Sequence, residues 1–389
     1  MKRLLFIFLQ FPILFFAQQK VQILDSETHK PIPNARIISN QNVYYSNDDG
    51  YILLPENSDK QEISAIGYLS ETVKNYKQTI SLKPKYQNID EVKIVSIDIK
   101  KILKDVSDNY SKIYYDQPQL YDITIKQRAF ENKQMKLLMI ADGKFWSKDG
   151  TYYPKEAINN RFDNFVQLQI DDLRYLKSET YENKIKTKKQ NTTQDNIGDL
   201  FLSFELFRTL RFAELKRSKT SGKLLDDNGT EQDISFLIKL DSTHIYKGRI
   251  LYNKIDKAIT HFDLHFNQSS TTKPLSLKDE DGVEYLRQLG DGILSFDYYK
   301  NGDRYVPSKI GFAVENLKTY VVDKIYDNRS AREIIFKNFE KSDSKGVQNP
   351  VKINQAYWKD LKMSNDKGEI LLSKEEQEFI NEKSNEIQD

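Results

Sequence analysis

The sequence predicts a mainly β protein: an N-terminal seven-stranded β-sandwich, then a larger antiparallel β-sheet or half-barrel domain with one or two helices. Three observations predict it. Over the first part of the chain, short apolar runs alternate with Gly- or Pro-bearing turns at roughly 8–12-residue spacing, the rhythm of a sandwich. Farther on, apolar and polar residues alternate strictly through several segments. The cleanest is 260–267, where Phe262, Leu264 and Phe266 alternate with His261, Asp263, His265 and Asn267. Finally, the 389 residues include 21 Phe and 23 Tyr but no Cys, so packing and strand pairing must hold the cores without disulfides.

A chain of this length accommodates two or three domains at roughly 150 residues each. Lys+Arg of 59 against Asp+Glu of 57 leaves +2, without the basic excess that nucleic-acid binding needs, so no nucleic-acid partner is expected. Residues 1–17 begin with Lys2 and Arg3, run through the apolar stretch from Leu4 to Leu9, are broken at Gln10 and Pro12, and end in Phe15-Phe16-Ala17. This is the pattern of a secretory signal peptide cleaved near Ala17. The competing reading is an uncleaved anchor, but the apolar run falls short of the ~20 residues of a span. No later segment approaches that length, so the mature chain is expected to have no transmembrane span. Its expected place is exported: periplasmic, associated with an outer membrane, or secreted. Lys2 and Arg3 are the only charges of the signal, so the rest of the chain is formally neutral. The missing Cys also removes a lipid-modified cysteine, a thiolate metal site and a cysteine nucleophile.

Residues 18–95 form the predicted sandwich. Strands are expected at 20–27, 35–39, 51–54, 62–66, 70–73 and 79–82. Pro31 and Pro33 punctuate the first pair, because proline has no N–H for a ladder. The cluster Ser46-Asn47-Asp48-Asp49-Gly50 turns the chain into the next strand, with Gly50 free to take a positive φ.

The order of these residues resembles the carboxypeptidase regulatory-like domain. The likeness rests on Val21-x-Ile23-x-Asp25, Thr28-x-x-Pro31-Ile32-x-x-Ala35, Asn47-Asp48-Asp49-Gly50-Tyr51, Ile63-Ser64-x-Ile66-Gly67-Tyr68, Leu82-x-Pro84 and Asp90-Glu91-Val92. It covers residues 20–95. The resemblance implies a transthyretin-like sandwich of about seven strands, common in envelope proteins of Bacteroidetes-type bacteria. In that family the domain is an accessory to peptidases and transporters and is not itself the peptidase. The sequence departs from the family in having Gln19-Lys20 where a Gly usually precedes the first strand pair.

Residues 96–115 predict a linker helix. Ile99, Ile102, Leu103, Val106, Tyr110 and Ile113 form one apolar stripe at 3,4 spacing, behind Asp98 or Ser96 as N-cap. Residues 116–345 predict the large β-rich domain. Strands at 120–130 and 133–146 meet at Glu131-Asn132, and strands at 293–299 and 304–314 flank the hairpin signal Asn301-Gly302. Further strands are expected at 234–240, 246–253, 260–267, 319–326 and 332–339. One helix is expected where Ile197, Leu200, Phe201, Phe204 and Phe207 recur behind Asp195. In strand rhythm this region resembles the lipoprotein-carrier half-barrel with a helix in its concavity, an analogy of fold that fixes no function. Residues 346–389 predict a polar tail with short helices at 355–362 and 373–384, the latter opening on the capping box Ser373-x-x-Glu376.

Motifs of catalysis are sparse. His261-x-Asp263-x-His265 is the one cluster of metal-type ligands, but on a strand its members stand about 6.8 Å apart per step. Ligands of one ion must lie about 2 Å from it, so a solvent-facing strand explains the triplet better and no metal is expected. There is no His-Glu-x-x-His, no Gly-x-Ser-x-Gly and no phosphate-binding glycine loop. Asp226-Asp227 and Asp279-Glu280-Asp281 sit beside glycines and read as turns. No catalytic residue and no cofactor is assigned. The remaining signal is aromatic: Trp146, Tyr152, Tyr153, Tyr298 and Tyr299 are the candidate ligand-binding residues, flat rings with a polar tip that suit an apolar or sugar ligand. Cross-strand pairing, the ordinary use of aromatics in β proteins, explains such rings better.

The expected function is a non-enzymatic, exported cell-envelope protein: an accessory β-sandwich joined to a β-rich domain that binds an apolar, polymeric or protein ligand. The expected partner is an envelope protein, a lipid or a glycan. A secreted carboxylate-dependent hydrolase and a purely structural or adhesive component are the alternatives.

Overall fold

The computed structural model describes residues 19–39, 42–54, 60–75, 77–85, 95–151, 165–186, 200–343, 345–351, 361, 363–364 and 371–382. The signal-peptide reading, Tyr152, Tyr153 and nearly all of the helix expected at 355–362 lie outside them. The protein is mainly β and divides into two compact units, Met1–Tyr86 with Glu369–Lys374, and Gln87–Gly368 with Glu375–Asp389.

The first unit contains β1 (Gln19–Asp25), β2 (Arg36–Ser39), β3 (Asn42–Tyr45), β4 (Tyr51–Leu54), β5 (Gln61–Ser64), β6 (Glu71–Val73) and β7 (Thr79–Leu82). They form one sheet in the order β4-β1-β7 and another in the order β3-β2-β5-β6. The strands β1 and β7 run parallel. Alternate residues of both sheets meet in one core: Val21, Ile23, Ile52 and Ile80 from the first, Ile37, Ile63 and Val73 from the second. β3 is the strand the sequence did not announce; it is four residues long and only Val43 is buried. Gly50 adopts φ +73°, and a Cβ there would stand 2.5 Å from the Ile23 carbonyl oxygen, so the turn before β4 requires glycine. Asn47 Oδ1 accepts the Tyr51 amide at 2.9 Å and closes that turn. Asp25 accepts the amides of Glu27 and Thr28, each at 2.8 Å, and the Tyr68 hydroxyl at 2.9 Å. The two amides hold its carboxyl below the usual range.

The second unit opens with β8 (Ser96–Ile97), α1 (Ile99–Asp108) and α2 (Tyr110–Ile113). Asp98 caps α1 by accepting the Lys101 amide at 3.1 Å, and the predicted stripe buries Ile99, Leu103 and Val106. The long strands follow: β9 (Gln119–Glu131), β10 (Gln134–Ser147) and β11 (Val166–Ser178), then α3 (Leu202–Glu214). Next come β12 (Lys219–Asp227), β13 (Glu231–Lys239), β14 (Ile245–Asn253) and β15 (Ala258–Phe266). A short pair, β16 (Leu275–Lys278) and β17 (Glu284–Gln288), precedes β18 (Asp291–Asn301), β19 (Arg304–Val321) and β20 (Lys324–Lys341). α4 (Lys374–Asn381) ends the described chain.

These strands make one 13-stranded sheet in the order β11-β10-β9-β20-β19-β18-β15-β14-β13-β12-β8, with β17 on β19 and β16 on β17. Neighbours are antiparallel throughout. Most are also neighbours in sequence; the pair most distant in sequence is β9 with β20, which sets Ile125 opposite Ile334.

Register makes the sheet two-faced. One row of apolar residues crosses it without a break: Ile234, Ile250, Phe262, Phe296, Ile310, Ile334, Ile125, Ala141 and Leu173, each opposite the next and each buried. Because side chains alternate along a strand, the positions one residue to either side face the other way. There stand Asp233, Arg249, Asp263, His261, Asp297, Lys309 and Glu333.

Several details differ from the sequence expectations. The stretch 319–326 is not one strand but the tip of the β19–β20 hairpin, turning at Val322 with φ +52°. A valine there gives no turn signal, since β-branched residues avoid that region. Helix α3 buries Leu202, Glu205, Leu206, Thr209 and Ala213, while Phe207 is 39% exposed, so the aromatic stripe read from sequence is not its packed face. The strands β11 and β12 were not expected, although Val166-x-Leu168-x-Ile170 carries the alternation. Within the polar tail, α4 is docked: Glu376 is fully buried and pairs with Lys126 at 2.7 Å and Arg128 at 3.6 Å. No helix of the described residues is long and apolar enough to cross a membrane.

Candidate functional site

The apolar face of the large sheet is filled where α2 meets it. Tyr114 accepts the Ile259 amide and donates to the Ile259 carbonyl, both at 2.9 Å. Tyr121 donates to Gln119 Oε1 at 2.7 Å. Tyr114 meets Tyr298 edge-on at 5.0 Å and stacks on Tyr110 at 4.4 Å. Burial pushes the Tyr298 hydroxyl up to about 12, with its hydrogen bond to Tyr110 working the other way. The space left among Tyr110, Tyr121, Phe145, Ser147 and Tyr298 is about 20 Å³, room for one water. This tyrosine cluster is a core.

The opposite face carries a ladder of alternating charge. Asp233 takes the Arg249 guanidinium in a two-point contact, Nε to Oδ1 at 2.7 Å and Nη2 to Oδ2. His261 lies between Asp297, 2.6 Å from Nδ1, and Asp263, 3.3 Å from Nε2. His261 is only 6% exposed, so the expectation of a solvent-facing strand fails at this residue. Burial alone would lower its pKa; the Asp297 charge and the hydrogen bonds to both carboxylates outweigh that and raise it to about 9. Farther along, Lys309 reaches Glu333 at 2.5 Å. Burial works to raise the Glu333 carboxyl, but Lys309 and then Arg128 bring it down to about 2. His265 touches this network only through Asp263, at 3.6 Å, and is half-exposed. Among the described residues no group of three or more His, Asp or Glu is placed to hold a metal ion.

A larger opening lies where β14 begins and β15 ends. It is a groove of about 510 Å³, within the range of small-molecule sites. Its floor is apolar: Ile245 and Tyr246 of β14, Phe266 of β15, Leu275 of β16 and Leu289. The ring of Phe266 lies against Gly292, where a Cβ would come within 1.9 Å of it, so this glycine makes space for the ring. Tyr246 is held from behind by the stacked ring of Phe212 of α3, at 4.8 Å. The rim is polar, formed by Thr243 and His244 on one side and the loop 267–273 on the other.

Two side chains pin that loop. Asp291 accepts the amides of Gln268 at 2.8 Å and Ser269 at 2.9 Å, and the Ser269 hydroxyl at 2.7 Å. Burial works against its ionised form, but these bonds prevail and keep the carboxyl below the usual range. Gln288 Nε2 donates to the Thr272 carbonyl at 2.7 Å and to its hydroxyl at 2.8 Å. On the other side Asp241 accepts the hydroxyl of Thr243 and the amides of Thr243 and His244. These bonds, with that from the His244 ring, hold its carboxyl far below the usual range. The rim is thus shaped by carboxylates whose oxygens are taken up by its own amides and hydroxyls.

Among the described residues, the predicted aromatics Trp146, Tyr298 and Tyr299 are not gathered into one cleft. Tyr298 faces the filled core. Trp146 alternates with the cavity-lining Phe145 and Ser147 and so projects from the opposite face; it is 3% exposed. Tyr299 alternates with Tyr298 in the same way and is 7% exposed. Tyr152 and Tyr153 lie outside the described residues. Conversely, none of the groove residues was chosen from sequence. Leu275 and Leu289 are single apolar residues in polar surroundings, beside Pro274 and Gly290, and only the folded chain brings them to Tyr246 and Phe266.

No family model and no curated protein matches the chain. Among solved structures, the chain is similar to a LolA superfamily protein from Nitrosomonas europaea, at 9% identity over 64% of this chain and 95% of that one, with a TM-score of 0.23. It is also similar to a Bacteroides fragilis protein of unknown function, at 10% identity over 83% and 98% of the two chains, with a TM-score of 0.14. At such TM-scores neither likeness carries an argument about this protein.

Proposed function

We propose that this is an exported, non-enzymatic envelope protein whose large unit binds an apolar ligand in the groove between β14 and the loop 267–273. The small unit is, in this proposal, an accessory module of the carboxypeptidase regulatory-like type. Its two sheets over one core and its obligatory Gly50 are compatible with that type. One observation supports the binding role: an open, apolar-floored groove of about 510 Å³, against about 20 Å³ in the tyrosine cluster of the same unit. Binding is favoured over carboxylate chemistry because the acids of the opposite face are engaged with cations: Asp233 with Arg249, Asp297 with His261, Glu333 with Lys309.

The test is uptake of an environment-sensitive apolar fluorophore, with native mass spectrometry of the purified protein for co-purified ligand. Leu275 is 50% exposed, so Leu275→Glu leaves the fold intact. Losing one leucine contact of roughly 1.5 kcal/mol weakens uptake about tenfold. A clean apo mass together with no uptake, or uptake indifferent to Leu275→Glu, would overturn the assignment.

A further inference from the structure

The polar rim of the groove is one-sided in charge. Seven polar residues line it: Thr243, His244, Asn267, Gln268, Thr271, Thr272 and Lys273. None is a carboxylic acid, in a chain where Asp+Glu number 57. The carboxylates nearest in sequence, Asp241 and Asp291, are turned into the turn and the loop base, where amides and hydroxyls occupy them. Lys273 is exposed at the edge of the lining, and among the described residues it makes no ion pair. The loop that carries it is fixed: Gln288 ties down Thr272 next to it, and Asp291 ties down Gln268 and Ser269. The ammonium group is therefore displayed beside an apolar floor from a braced segment, and the carboxylates nearest in sequence are already hydrogen-bonded to rim amides and hydroxyls.

Resting on the proposed binding role, we infer that the groove takes an anionic amphiphile, a fatty carboxylate whose chain lies on Tyr246, Phe266 and Leu275 and whose head group meets Lys273. A rim carboxylate would repel such a head group, and a buried ammonium would lose on desolvation what it gained from the pair. No carboxylate is among the lining residues, and Lys273 is exposed. The Thr271 and Thr272 hydroxyls are already donating to the carbonyls of the loop, which leaves the lysine as the charged contact and the Asn267 and Gln268 amides as neutral donors beside it.

The experiment uses the full chain and two probes of equal chain length, dodecanoate and dodecanol, below their micellar concentrations, displacing the apolar fluorophore. Dodecanoate is expected to compete more strongly than dodecanol. Lys273→Gln should weaken dodecanoate about threefold to tenfold, leave dodecanol unchanged, and be rescued by Lys273→Arg. Raising the salt concentration should weaken dodecanoate alone. If both probes bind equally to wild type and to Lys273→Gln, the charge assignment is wrong while the apolar groove stands. If neither probe displaces the fluorophore, the binding role itself falls. Lys278→Gln serves as the control, since Lys278 is outside the lining and pairs with Glu284 at 2.9 Å.

Discussion

A single imidazole illustrates how a residue's chemistry is set by its register partners. His261 is one strand position away from Phe262, a member of the apolar row, and register places Asp297 opposite it. Its pKa is raised from 6.5 to about 9, so folding binds its proton more tightly than the unfolded chain does. The stabilisation is complete below pH 6.5 and is lost as the pH rises through about 9. We expect the wild-type denaturation midpoint to fall over that window relative to His261→Gln, measured at matched pH in urea. A parallel pH profile for the two proteins would refute the pairing. His261, Asp263 and His265 were conspicuous in the sequence, yet their role was not legible. Alternation on a strand says which residues share a face, whereas the Asp297 that stabilises the protonated His261 comes from 36 residues away. The placement of Tyr298 was not legible for a similar reason. A strand tyrosine reads alike whether it faces a cleft or, as here, the rings of Tyr110 and Tyr114.

At the scale of elements, turns written in Asn and Gly were legible and turns written otherwise were not. Asn132 and Lys133, both at positive φ, join β9 to β10 where expected, and Gly302 at φ +63° does so for β18 and β19. The β19–β20 hairpin turns instead at Val322, 92% exposed and at φ +52°. A β-branched side chain in that conformation costs about 1–2 kcal/mol, and it makes almost no contact that would offset the strain. Val322→Asn is therefore expected to stabilise the protein by about 1 kcal/mol, raising the melting temperature of the large unit by about 2–4 °C. A fall in melting temperature would mean that the valine is held by something other than the turn. The helices divide in the same way. The stripe of α1 announced its buried face correctly, because apolar spacing there matches the packing. In α3 the Phe204 and Phe207 pattern pointed elsewhere, because the face that packs carries Glu205 and Thr209.

For the whole molecule, the decisive contact is the pairing of β9 with β20. Local hairpins account for most of the sheet, but without β20 both β9 and β19 are left with a bare edge. A chain ending at Asp323 is thus expected to lose the cooperative unfolding of the large unit, whereas one ending at Lys345 keeps β20 in place. Circular dichroism melts of the two truncations decide it, and a sharp transition in the shorter chain would show that the β9–β20 pair is dispensable. The predominance of β structure was legible from alternation, as were the hairpins. The order β9-β20 was not, since periodicity carries no information about which distant strand lies alongside. The same pairing sets a clock. A polypeptide emerges from its N-terminus at about 5–20 residues per second, so the roughly 200 residues between β9 and its partner take about 10–40 s to arrive. Throughout that interval β9, paired on one side with β10, presents the other edge of a thirteen-residue strand to whatever else is nearby. The period of greatest exposure to aggregation is accordingly fixed by the distance between two strands in the sequence, and any helper that shields this chain must stay with β9 until β20 has appeared.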